Sequence, residues 1–248
     1  MDYSNHAQQR STRTAKGPAA NLHGGNQTVV TRSGPEPAFC GQCHTQSDPT
    51  PLSFSGLRTI HVGGLTALDL AGLTHFLLTG SEVRVHIFSE SPLPSWINRI
   101  PLAARFERHS TLRLWPESVM TNPRFLREYS WQDGLPPIAY SCPEKALLEV
   151  LTEVPSAVSF EHADALMQGL SNLSPKKIDA LLRTCRSIKV KRLFLWLAER
   201  NGHPWYKRLE PTEYDLGSGK RVLAQHGRLH ARWAITVPKE MHDENEHG

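Results

Sequence analysis

Ser141-Cys142-Pro143-Glu144-Lys145-Ala146-Leu147-Leu148-Glu149-Val150-Leu151 is the stretch on which the fold turns. Leu147, Val150, Leu151 and Val154 repeat at i, i+3, i+4 and i+7, the spacing of one buried helix face. Ser141 followed three residues later by Glu144 has the form of a capping box, with proline early in the helix where a missing N–H costs nothing. The same quartet returns twice, at Ile178, Leu181, Leu182 and Cys185 and at Val190, Leu193, Phe194 and Leu197. Ser174-Pro175 reads as the start of the second of these helices. Between them, Phe160, Ala163, Met167 and Leu170 after Ser159 form a further amphipathic helix. Four helices joined by short turns are expected to pack as antiparallel or angled neighbours.

On the N-terminal side of this block the period changes from 3.6 to 2. Glu82 to Phe88 alternates, with Val83, Val85 and Ile87 on one face, and Leu57 to Val62 reads as a short strand closed by Gly63-Gly64. Helical spacing follows at Leu65, Leu68, Leu70, Leu73 and Phe76, and short β-like pieces fall at Thr111–Trp115 and Phe125–Trp131. On the C-terminal side, Lys220 to Gln225 and Ala231 to Val237 flank His226-Gly227 as a hairpin. The expected fold class is α+β: a small mixed β-sheet region, a block of about four helices and a C-terminal β-hairpin. Residues 1–52 are polar and without apolar period, so they read as a disordered extension; 53–238 form the domain and 239–248 an acidic disordered tail.

The chain has 248 residues, 39% of them hydrophobic, enough for a sizeable core without staples. Four cysteines, two in Cys40-Gly-Gln-Cys43 and two isolated at Cys142 and Cys185, do not make a disulfide framework. The first thirty residues hold no apolar signal core, and no segment nears the roughly 20 apolar residues of a membrane helix, so a cytoplasmic protein away from membranes is expected.

Taken in order, the helix at 141–151, Cys185 to Leu195, Gly202-His-Pro-Trp205-Tyr-Lys-Arg208-Leu, Asp215-Leu-Gly-Ser-Gly-Lys220-Arg221 and Ile235-Thr-Val-Pro238 resemble the C-terminal domain of the AbiEi antitoxins. His61-Val-Gly-Gly-Leu-Thr-Ala-Leu68 resembles that domain's entry, so the resemblance covers roughly residues 57–238. It implies an antitoxin and transcriptional regulator of a type IV toxin–antitoxin (abortive infection) system, with an AbiEii-like nucleotidyltransferase toxin as functional partner. A winged-helix DNA-binding domain usually precedes this region in the family; residues 1–52 offer no apolar helix pair to build one, so that module is expected to be missing.

Charge is concentrated. Between Ser174 and Arg221 stand twelve cations and five anions, a local +7 against +4 for the whole chain. Lys176, Arg183, Lys189, Lys191, Arg192, Lys207 and Arg208 are therefore the expected contact surface for operon DNA, RNA or an acidic partner. An alternative is an autorepressor whose helices after Ser159 and Ser174 make an internal helix-turn-helix. A nuclease-like enzyme is disfavoured, since no nucleophile, base and orienting group stand together and Glu144, Glu149, Glu153 and Glu161 read as cap or polar-face residues. Cys40-x-x-Cys43-His44 matches a haem-attachment pattern, but without export or an axial partner it implies no cofactor and no metal. Trp205-Tyr206 reads first as a core plug, Asp215 to Arg221 as a Gly-rich turn, and His61, His75, His86 and His162 as scattered single residues.

Overall fold

The computed structural model describes residues 60–74, 83–99, 101 and 103–242. The 1–52 extension, the Cys40–His44 motif, His75 and the end of the acidic tail lie outside these residues. The first strand, β1 (Ile60–Val62), runs through Gly63 into a short helix, α1 (Gly64–Leu70). Strands β2 (Val83–Ser89) and β3 (Ala104–Ser110) follow, then a single turn, α2 (Glu117–Met120), and strands β4 (Leu126–Tyr129) and β5 (Ile138–Ser141). These make one five-stranded sheet in the order β3-β2-β1-β5-β4. It is mixed: β1 runs antiparallel to β2 and parallel to β5, β2 parallel to β3, and β4 antiparallel to β5. The stretch Thr111–Trp115, expected as β, instead makes turns, with the Leu114 and Trp115 amides both bonded to the Thr111 carbonyl.

Register decides what faces the helices. His61 lies opposite Phe88, and His86 and Phe88 opposite Glu107 and His109, so all five side chains share one face of the sheet. On the other face Ile60, Val62, Val85, Ile87, Phe106 and Ile138 line an apolar hollow.

Four helices succeed the sheet: α3 (Pro143–Val150), α4 (Phe160–Gly169), α5 (Pro175–Thr184) and α6 (Ile188–Asn201). Two begin on serine caps: the Ser159 hydroxyl accepts from the His162 amide at 3.1 Å, and Ser187 from Val190 at 3.4 Å. Gly202, at φ 62°, ends α6 in the left-handed conformation that leaves its amide free to bond the Ala198 and Glu199 carbonyls. The capping box at Ser141 does not form. Cys142 is the N-cap of α3, Ser141 completes β5, and Glu144 accepts the backbone N–H of Ser174 at 2.9 Å, tying α3 to the start of α5.

Helix α3 packs against α1, α4, α5 and α6, and each of its eight residues is buried. Nine consecutive residues of α6, Val190 to Ala198, are buried as well. An apolar quartet marks the face that must be covered and is silent about the opposite face; here both are covered.

The chain closes with β6 (Arg228–His230) and β7 (Ile235–Val237), paired antiparallel. The turn is thus at 231–234, not at His226-Gly227, and residues 221–224 run along the free side of β7 through the Thr236 hydroxyl and backbone. Gly227 makes this arrangement fit: a Cβ there would stand 2.2 Å from the Val237 carbonyl oxygen. Order continues beyond residue 238, since Lys239–Met241 form a 3-10 turn with Met241 buried.

Candidate functional site: cationic groups and a buried polar core

Helix α5 presents Lys176 and Arg183 outward, and the 3-10 turn Tyr206–Arg208 presents Lys207 and Arg208. Lys176, Lys207 and Arg208 have no carboxylate within ion-pair reach among the described residues. Arg183 is already engaged: its guanidinium holds Asp179 on its own helix at 3.0 Å and also grips Glu213, and these two carboxylates push its pKa up. Lys191 and Arg192 do not belong to a contact surface, being 3% and 4% exposed. Arg192 is a clamp. Its three guanidinium nitrogens donate to the carbonyls of Leu216, Gly217, Gly219 and Ala234 at 2.6–3.1 Å, binding the Gly-rich loop and the hairpin turn to α6. Gly217 (φ 60°) and Gly219 (φ 76°) supply the left-handed turns that bring those carbonyls round. Trp205 is a core plug, its indole N–H donating to the Leu170 carbonyl at 3.1 Å.

Lys189 lies apart from these, on the first turn of α6, where its ammonium donates to the Thr152 carbonyl at 2.9 Å; burial lowers its pKa while Glu153 opposes the shift. It lines a cleft of about 570 Å³ with Arg108, Arg113, His109 and Ser187, in which Glu153 is the single carboxylate. Arg108 there fastens the turn after β2, donating to the carbonyls of Ser89, Glu90 and Ser91. Arg113 is exposed.

A second polar constellation lies wholly inside. Glu149 on α3 accepts from Lys145 at 2.8 Å, from the Gly64 amide at 3.1 Å and from the Trp115 indole at 3.3 Å. His61 Nε2 stands 2.5 Å from Lys145 Nζ and 3.0 Å from Glu149 Oε1, and Lys145 also donates to the Ser141 hydroxyl at 3.0 Å. Burial alone would raise the Glu149 carboxyl, but Lys145 and His61 outweigh it and hold it at about 2. Burial, and then the Lys145 charge, push His61 below its usual value, so its ring is neutral near pH 7, with Nε2 within hydrogen-bond distance of both the ammonium and the carboxylate. Gly63 must be glycine for this: a Cβ would stand 2.4 Å from both Glu149 Oε2 and the Phe88 ring.

Lysine, glutamate, histidine and serine together resemble catalytic equipment, yet Lys145 and Glu149 are 0% exposed and no substrate atom can reach them. Glu149 is thus a core residue and not a polar-face one. The signal for it was an i, i+4 Lys–Glu pair inside an otherwise aliphatic helix.

Residues 81–238 match the family described as "Transcriptional regulator, AbiEi antitoxin, Type IV TA system". The chain belongs to the AbiEi antitoxin family. No curated protein matches it. Among solved structures it is similar to the Rv2827c protein of Mycobacterium tuberculosis, at 18% identity and a TM-score of 0.43, over 71% of this chain. The match spans 61% of the length of that protein. Several motifs that carry the AbiEi resemblance are therefore motifs of the interior: Ser141, Lys145 and Glu149 in the first, Arg192 in the second, Trp205 in the third. His61 to Leu68 precede the matched span, yet the AbiEi domain depends on them, since His61 and Gly64 both bond Glu149.

Proposed function

We propose that this chain is the antitoxin and regulator of a type IV toxin–antitoxin operon, that it counters an AbiEii-like nucleotidyltransferase toxin, and that it works by binding and not by turnover. Family membership supports the class. The binding mode rests on one observation: the cleft between β3 and the first turn of α6 holds Arg108, Arg113 and Lys189 against a single carboxylate. A helix N-terminus beside cations favours phosphate oxygens, so the anion best matched to this cleft is a nucleic-acid backbone, here the operon's own DNA. Lys176, Lys207 and Arg208, exposed and unpaired among the described residues, are further cations outside the cleft that the same anionic partner could engage. Helices α4 and α5 pack chiefly on α6 and on α3, which weighs against reading them as the paired helices of a helix-turn-helix. Among the described residues no helix is long and apolar enough to cross a membrane.

The test is fluorescence anisotropy with operon promoter DNA over a salt series, alongside growth rescue from the co-expressed toxin. Arg113→Glu combined with Lys207→Glu and Arg208→Glu alters only exposed side chains. We expect it to weaken binding across sequences and to reduce the log–log salt slope by about 2–3, roughly one for each phosphate that is no longer neutralised. Unchanged affinity at every salt concentration together with unchanged rescue would remove this surface from the mechanism.

A further inference from the structure

Two histidines read as solitary in the sequence meet in space. His86 Nδ1 on β2 lies 3.0 Å from His109 Nε2 on β3, the two rings stacked at 5.1 Å between centroids. Parallel pairing of the strands places Glu107 directly beside His86, and ligand atoms of all three residues fall within 4.8 Å of one another. On the far side of His109, Nδ1 lies 3.2 Å from Glu153 Oε1. A carboxylate oxygen accepts, so His109 Nδ1 is the donor in this contact. In the neutral ring this leaves His109 Nε2 as a lone pair aimed at His86. The 3.0 Å contact then has His86 Nδ1–H as the donor, and a metal ion bound between the two nitrogens would replace that proton, leaving the ring protonated at Nε2.

We propose that His86 Nδ1, His109 Nε2 and the Glu107 carboxylate form a binding site for a divalent transition-metal ion of the zinc type. Two imidazole nitrogens on a tetrahedral zinc stand about 3.3 Å apart, close to the spacing already present. Glu153 takes the outer position, a carboxylate that fixes the tautomer and orientation of a ligating histidine. Glu107 has only a 3.7 Å contact with the exposed Arg84 to give up, and its side chain is 31% exposed. His109 and Glu153 line the cationic cleft, so the ion would enter from it and keep a coordination position facing it. The imidazole and carboxylate donor set selects zinc-like ions over magnesium or calcium.

The experiment titrates zinc into the full chain carrying Cys40→Ser and Cys43→Ser, because Cys40, Cys43 and His44 are zinc-ligating types in their own right. A chromophoric chelator reports affinity, and visible absorption of added cobalt reports geometry. We expect one equivalent bound at micromolar concentration or tighter, a tetrahedral cobalt spectrum, and a zinc-dependent rise in Tm. His86→Gln or His109→Gln abolishes the equivalent, and Glu107→Gln, which removes a coordinating charge, weakens it by at least about tenfold, the lower end of what losing a mere outer-shell partner costs. Glu107 is partly exposed, so its variant reads the site even if a histidine variant misfolds. Binding in the Arg113→Glu, Lys207→Glu, Arg208→Glu chain should be unchanged, which separates this site from the nucleic-acid reading. No stoichiometric zinc at micromolar concentration, or zinc retained at full affinity in Glu107→Gln and in the folded histidine variants, would overturn it.

Discussion

Glu149 is a carboxylate with no route to water, and everything near it is arranged to keep it charged. Removing one partner of a buried pair strands the other charge, so Glu149→Gln should cost about 3–5 kcal/mol, while replacing Lys145 and Glu149 together by Met and Leu should cost much less. The pH dependence has a fixed sign. The folded pKa of about 2 lies below the ordinary 4.5, so the stability Glu149 contributes is complete above pH 4.5 and fades as pH falls toward 2. His61 is shifted the same way from 6.5, so its contribution is complete above that value and declines below it. Urea unfolding at a series of pH values should therefore show a falling midpoint below pH 6.5, with the segment between 4.5 and 2 flattened in Glu149→Gln. A variant within about 1 kcal/mol of the parent would contradict this account of the pair.

Elements differed in how plainly their sequence announced them. Strand β2 and helices α4 and α6 were legible, because the alternation of Val83, Val85 and Ile87, the Ser159 cap and the quartet Val190, Leu193, Phe194 and Leu197 each carry a local physical signal. Ser141 misled for a physical reason: its hydroxyl had a stronger suitor in the Lys145 ammonium than any backbone amide. The hairpin register failed because Thr236 bonds residues from both sides of β7, a tertiary choice with no local signature. Arg192 shows what such a choice does to charge. It looked like surface because arginine is rarely buried without partners, and here four carbonyls supply them. Arg192→Ala should lower stability by about 3 kcal/mol and release the 216–221 loop, read as faster trypsin cleavage after Lys220 and Arg221. Arg192→Lys should rescue little, since an ammonium cannot fork to four acceptors. Cleavage as slow as in the parent would show that the loop is held by something else.

At the scale of the whole molecule, the layer order was readable and the meeting of distant side chains was not. Periods of 2 and 3.6 separate sheet from helices, but His86 and His109 become neighbours only through the register of β2 on β3. The sheet itself hangs on its shortest member. Three residues, Ile60 to Val62, are bonded on one side to β2 and on the other to β5, so among the described residues they join the β3-β2 half to the β5-β4 half. The same segment delivers His61 and Gly64 to the interior charge. A fragment cut at residue 81, where the family match begins, would be two half-sheets with raw edges and an orphaned glutamate. It should precipitate or lack a cooperative melt, whereas one starting at residue 53 should melt cooperatively; near-UV circular dichroism compares the two, and equal cooperativity would refute the idea. If only the longer fragment melts cooperatively, homology marks the wrong place for the scissors, and the smallest self-sufficient piece should start upstream of what sequence kinship delimits.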